Sequence, residues 1–187
     1  QRLVRPATVF AVTAMAAGVV VTFLPLVVTQ GAGNVAASAL LVQAVTMTVM
    51  RGWAGRQGAR SGNATMLIAA VIMTSAGIFV LAASSNTTVV LVAMALFGAG
   101  FGVAQNASLA LMFKGVSNVH YDAVSALWNA AYDTGLGIGA AGFGLIAAAT
   151  GYRMALALTA AMVLVVLLPA WRERAGDLAS RAPIATD

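Results

Sequence analysis

Cysteine is absent from all 187 residues, which removes any disulfide framework and any thiolate metal site. Charge is scarce too. Asp, Glu, Lys and Arg make up 8% of the chain, against about 25% in an average soluble domain. One His and five acids do not furnish a metal cluster or a nucleophile–base–acid triad. The chain is therefore not expected to be an enzyme or to carry a metal or other cofactor. What it has in abundance is apolar surface: 61% hydrophobic residues and a mean hydropathy of +0.94. A soluble fold of this length has no interior large enough to hide that surface. The expected class is an all-α integral membrane protein.

The formal net charge is +5. Nucleic acid is a poor explanation for it, because the basic residues sit in short segments between apolar runs, where orientation signals belong. Nine Met residues invite a soft-metal reading, but Met scattered through apolar helices is usually gap-filling. Ala, Gly and Val dominate the composition and Arg outnumbers Lys nine to one, as in GC-rich bacterial genes.

A bilayer core of about 30 Å takes about 20 apolar residues in a helix. The sequence predicts six such spans: Pro6–Val28, Val35–Met50, Ala64–Ala83, Thr88–Phe113, Ala123–Thr150 and Tyr152–Pro169. Pro25 is positioned to kink or end the first. The connections at Thr29–Asn34 and Ser84–Thr87 are uncharged, Arg51–Asn63 is the most basic, and Lys114–Asp122 carries His120. Six spans place both termini on one side. That side holds Arg2, Arg5, Arg51, Arg56, Arg60, Lys114, Arg172, Arg174 and Arg181, and the other only Arg153. The asymmetry predicts that both termini are cytoplasmic. Residues 6–171 form the bundle and 172–187 a polar cytoplasmic tail that frays.

Asp133 is the only charged residue that these boundaries leave away from the end of a span. A charge at the bilayer centre costs about 2.5–3.5 kcal/mol on insertion scales and usually faces a bundle interior or a wet cavity. Asn129 precedes it by one helical turn and shares its face. The pair either lines a transport path, with Asp133 gaining and losing a proton, or fixes helix packing through hydrogen bonds. Gln105 and Asn106 point about 100° apart on one helix, so one is expected at a cavity and the other against a neighbouring helix. Gln43 is a third amide at membrane depth. Gly98 with Gly102, and Gly135 with Gly139, are small-xxx-small pairs that permit close helix approach.

The segment GRQGARSG places Gly55, Arg60 and Gly62 in register with G-x-x-x-D-R-x-G, the cytoplasmic loop motif between the second and third helices of each half of major facilitator superfamily transporters. Ala59 stands where that motif has its acid. Gly98-x-Gly100-x-Gly102 followed by Gln105 and Asn106, and the string WNAAYDTG around Asp133, also resemble helices of that superfamily, within the bacterial branch of drug and small-metabolite exporters. The resemblance covers roughly Ala7 to Trp171. It implies a C-terminal-type six-helix half built from two inverted three-helix repeats. It further implies a secondary active transporter half that works by alternating access, with proton-coupled efflux as the expected activity. The path would be bordered by the first, second, fourth and fifth spans and would include Asp133, Asn129, Gln105, Asn106 and Gln43. The third and sixth spans would face lipid. The implied partners are a small-molecule substrate, the lipid bilayer of a bacterial cytoplasmic membrane, and a second six-helix half from the same polypeptide or from a second copy. The opposing expectation is a six-helix scaffold that does not transport, or a self-associating half-transporter.

Overall fold

The computed structural model describes residues 3–28, 34–114 and 116–179. The uncharged connection at 29–33 and the end of the tail at 180–187 lie outside the described residues. The rest is helical: α1 (Val4–Val27), α2 (Val35–Ser61), α3 (Asn63–Ala83), α4 (Thr87–Phe113), α5 (Tyr121–Thr150), α6 (Tyr152–Val165) and α7 (Leu167–Ala179), with a single 3₁₀ turn at Asn118–His120 before α5. Among the described residues, five segments are long and apolar enough to cross a membrane: Val4–Val27, Val35–Gly58, Asn63–Ala83, Thr87–Phe113 and Tyr152–Gly176. The last joins α6 and α7 into one rod. α5 is the longest helix, at 30 residues, yet falls outside that set. Its glycines add length without apolar side chains, and Asn129 and Asp133 dilute the rest.

Helix ends follow local chemistry. Asn86 caps α4, its Oδ1 accepting from the backbone N–H groups of Thr88 and Val89 at 3.0 and 3.4 Å, as an N-cap side chain does. Gly62 (φ +84°) and Gly151 (φ +79°) turn the chain between α2 and α3 and between α5 and α6, a backbone region that side chains disfavour. Pro25 does not stop α1, which runs on to Val27.

Two expected boundaries are corrected. The basic segment Arg51–Asn63 is not a loop: α2 continues unbroken through Gly55 and Arg60 to Ser61 and stops only at Gly62. The glycines and polar residues of GRQGARSG suggested a loop, but they are interleaved with Ala54, Arg56, Gln57 and Arg60, which favour helix, and no proline interrupts them. At 27 residues, α2 is about 40 Å long and overhangs a bilayer core of about 30 Å by roughly two turns. Nor does the tail fray from residue 172, because α7 carries the helix to Ala179.

The packing is built on parallel pairs. α5 lies along α1: a side chain on Gly135 would meet the Ala11 carbonyl, and one on Gly139 the Met15 carbonyl. α4 lies along α2 in the same manner, with Gly98 on the Gln43 carbonyl and Gly102 on the Met47 carbonyl. Both glycine pairs are spaced i, i+4 and face carbonyls spaced i, i+4. Each lets two backbones come together where lipid tails offer no hydrophobic gain and close van der Waals packing must do the work. α3 is held between α4 and α6, its Ser75 Oγ donating to the Ala160 carbonyl at 2.9 Å.

Candidate functional site: a polar layer at mid-height

The glycine contacts set relative heights. Thr74 lies near the middle of α3 (Asn63–Ala83). A Cβ on Gly100 would come within 2.5 Å of the Thr74 nitrogen, so Gly100 shares that level. Gly102 and its neighbour Met47 are then close to mid-height as well. Arg51, one turn further along α2, is displaced by only ~6 Å. Arg51 therefore belongs to a candidate span, Val35–Gly58, and not to a surface loop. The expectation that Asp133 alone is charged at membrane depth is corrected accordingly.

Arg51 is tied into the layer. Its Nη1 donates to Gln105 Oε1 of α4 at 3.2 Å, and it has no carboxylate within 4.0 Å among the described residues. Gln105 is 5% exposed and Gln43 7%. Their amide nitrogens converge on one atom, Met47 Sδ, at 3.7 Å and 3.9 Å respectively. A thioether sulfur is a weak acceptor, so both amides keep donor capacity. Asn106 lies against α2 as well: a Cβ on Gly55 would be 3.3 Å from Asn106 Nδ2. Gln105 and Asn106 thus both reach α2. α4 lies along α2 over a face wide enough for residues about 100° apart to reach it.

On the opposite flank, α5 presents Asn129 and Asp133, both exposed. Between the flanks lies an aromatic cluster that the sequence reading missed. Phe10 of α1 stacks on Trp128 (4.4 Å between ring centroids), Tyr132 (5.9 Å) and Phe101 (6.2 Å). Phe97 stacks on Phe101 at 6.0 Å. Trp128 Nε1 donates to Ser108 Oγ of α4 at 3.1 Å. The sequence held the signal in two i, i+4 pairs, Phe97/Phe101 and Trp128/Tyr132, each of which shares a helix face. The cluster fixes α5 against α1 and α4. Tyr132 lies 6.3 Å from Phe101, one residue from Gly100, so adjacent Asp133 is held near the same height. No hydrogen bond joins the α5 pair to Gln105 or Arg51 among the described residues.

The sequence-derived motif residues separate. Gly55 lies beside Asn106, Arg60 is exposed in the last turn of α2, and Gly62 is the turn itself. Among the described residues, no group of three or more His, Cys, Asp or Glu is placed to hold a metal.

A family model described as the Major Facilitator Superfamily matches residues 7–184. No curated protein matches the chain. Among solved structures, the chain resembles a variant of the peptide transporter POT crystallised in complex with sulfate. The TM-score is 0.75 at 16% sequence identity, over 92% of this chain and 37% of that one. The chain thus spans little more than a third of the length of that structure, and at this identity the likeness shows the fold.

Proposed function

Since the chain belongs to the Major Facilitator Superfamily, we propose that it is one six-helix half of a secondary active transporter, with α5 as the fifth of its six spans. The observation that carries the reading is the polar layer. An exposed carboxylate on α5 and a guanidinium on α2 stand at similar heights, with the amides of Gln43, Gln105 and Asn129 beside them, in a bundle whose buried side chains are mostly apolar or aromatic. Charged groups at such depth face a bundle interior or a wet cavity rather than lipid.

Alternating access would rock this half against a second one around that layer. The second half comes from the same polypeptide or from another copy. Asp133, Asn129, Gln105, Asn106 and Gln43 would border the path of a small molecule. The matched parallel pairs, α1 with α5 and α2 with α4, are what two inverted three-helix repeats would produce, because exchanging the repeats maps one pair onto the other. The Arg60 end of α2 would then be cytoplasmic, as would both termini, in the inner membrane of a bacterium.

Asp133 is the proposed coupling acid, since protonation removes its charge when the cavity closes. The direction is proposed as efflux. The test is proton movement in everted membrane vesicles, read with a pH-sensitive dye while a panel of small molecules is added. Substrate-induced proton release should vanish in Asp133→Asn. Persistence of that release in Asp133→Asn would remove Asp133 from coupling. Indifference of all substrate-linked signals to replacement of both Asp133 and Gln105 would favour a scaffold that does not transport.

A further inference from the structure

We infer that Arg51, Gln105 and Gln43 form a recognition site for a carboxylate-bearing small molecule. This names a substrate class for the transporter proposed above and rests on that reading. Three facts converge on it.

The first is depth. Arg51 lies within a membrane-length segment and one turn from mid-height, and not at the end of α2, which continues to Ser61. The second is orientation. The exposed apolar residues Leu41, Val45, Val49 and Trp53 recur every four residues along α2. At about 100° per residue, Arg51 falls on the far side of the helix from that stripe. If the stripe meets lipid, the guanidinium does not.

The third is donor balance. Arg51 offers a planar fork of N–H donors and no acceptor. Its contact here is a single neutral carbonyl, Gln105 Oε1. Gln105 and Gln43 are both more than nine-tenths buried, and among the described residues their amide nitrogens have only the Met47 sulfur. A site rich in donors and poor in acceptors is completed by a ligand that only accepts. A carboxylate does so: it takes the guanidinium fork in parallel hydrogen bonds and leaves lone pairs for the amides. One guanidinium balances one negative charge, which favours a monocarboxylate over a phosphate dianion.

The test uses the protein extracted from its own membrane, with whatever second half accompanies it, in lipid nanodiscs. Its unfolding midpoint is followed while hexanoate, benzoate or their neutral amides are titrated at constant ionic strength. The carboxylates should raise the midpoint saturably and the amides should not. Charge-assisted hydrogen bonds contribute enough that Arg51→Gln should weaken the apparent affinity by about ten- to hundredfold. Arg51→Lys keeps the charge and loses the fork, so it should show a smaller loss; it also decides the matter if Arg51→Gln fails to fold. Equal responses to acids and amides would overturn the inference, as would a carboxylate response that survives Arg51→Gln. A midpoint that falls in Arg51→Gln, with no carboxylate-selective response in the wild type, would assign Arg51 to an acid of the second half and overturn it too. Proton release through Asp133 is read separately. If that release persists while the carboxylate response is absent, this inference fails and the transporter reading stands.

Discussion

Gly102 of α4 rests on the carbonyl of Met47 of α2, and any side chain there would collide with backbone. This contact does more than pack two helices. It sets the height of α2 against α4, and so brings Arg51 to Gln105.

Gly102→Leu should therefore be among the most damaging single changes, because the obstacle is a carbonyl that cannot swing aside. A cost of about 1–3 kcal/mol, or failure to assemble, is expected from overpacking. Gly137→Ala is the control. Nothing lies within 4 Å of a Cβ there, so the change should be neutral or stabilising by about 0.5–1 kcal/mol, as for any uncrowded glycine inside a helix. Denaturant titration in detergent distinguishes the two.

The indole of Trp128 is anchored by Ser108, while Trp53 and Trp171 are exposed. Ser108→Ala should cost about 0.5–1.5 kcal/mol. It should also shift the Trp128 emission in a background where Trp53 and Trp171 are Phe. Unchanged emission would mean that the hydrogen bond does not form in the membrane.

Gly151 turns the chain at φ +79° with open space around it. With ψ at 159° as well, Gly151 sits in a region essentially reserved for glycine, so Gly151→Ala should cost about 1–3 kcal/mol from backbone conformation alone. Gly142→Ala, equally uncrowded but inside α5, should be neutral or stabilising by about 0.5–1 kcal/mol. The sign of the difference, measured by thermal unfolding, is the check.

Much of this fold was legible because apolar run length and glycine turns are local signals. α3 and α4 begin and end within a residue of where hydropathy places them. The end of α2 was not legible. Basic residues after an apolar run look like a membrane boundary whether or not the helix continues, and only tertiary packing shows that Arg51 reaches Gln105. The glycine pairs were visible as a pattern, but their partners on α1 and α2 were not. Phe10 meets Trp128 across more than a hundred residues of chain, a pairing that no local periodicity announces. The polar candidates Gln43, Gln105, Asn129 and Asp133 were found by their rarity. How they divide between a buried group on α2 and α4 and an exposed edge on α5 is a matter of packing.

The central claim is that the polar edge of α5 faces water at membrane mid-depth. These 187 residues hold no cysteine, so once any cysteine of the accompanying half is replaced, an introduced thiol is the sole target for a maleimide that reacts only where a thiolate can form in water. Asn129→Cys and Val49→Cys, the latter on the exposed apolar stripe of α2, are compared in intact membranes. The account predicts labelling of Asn129→Cys and none of Val49→Cys. An Asn129→Cys as silent as Val49→Cys would show that α5 turns this face to lipid or to a dry interface, and would contradict the account.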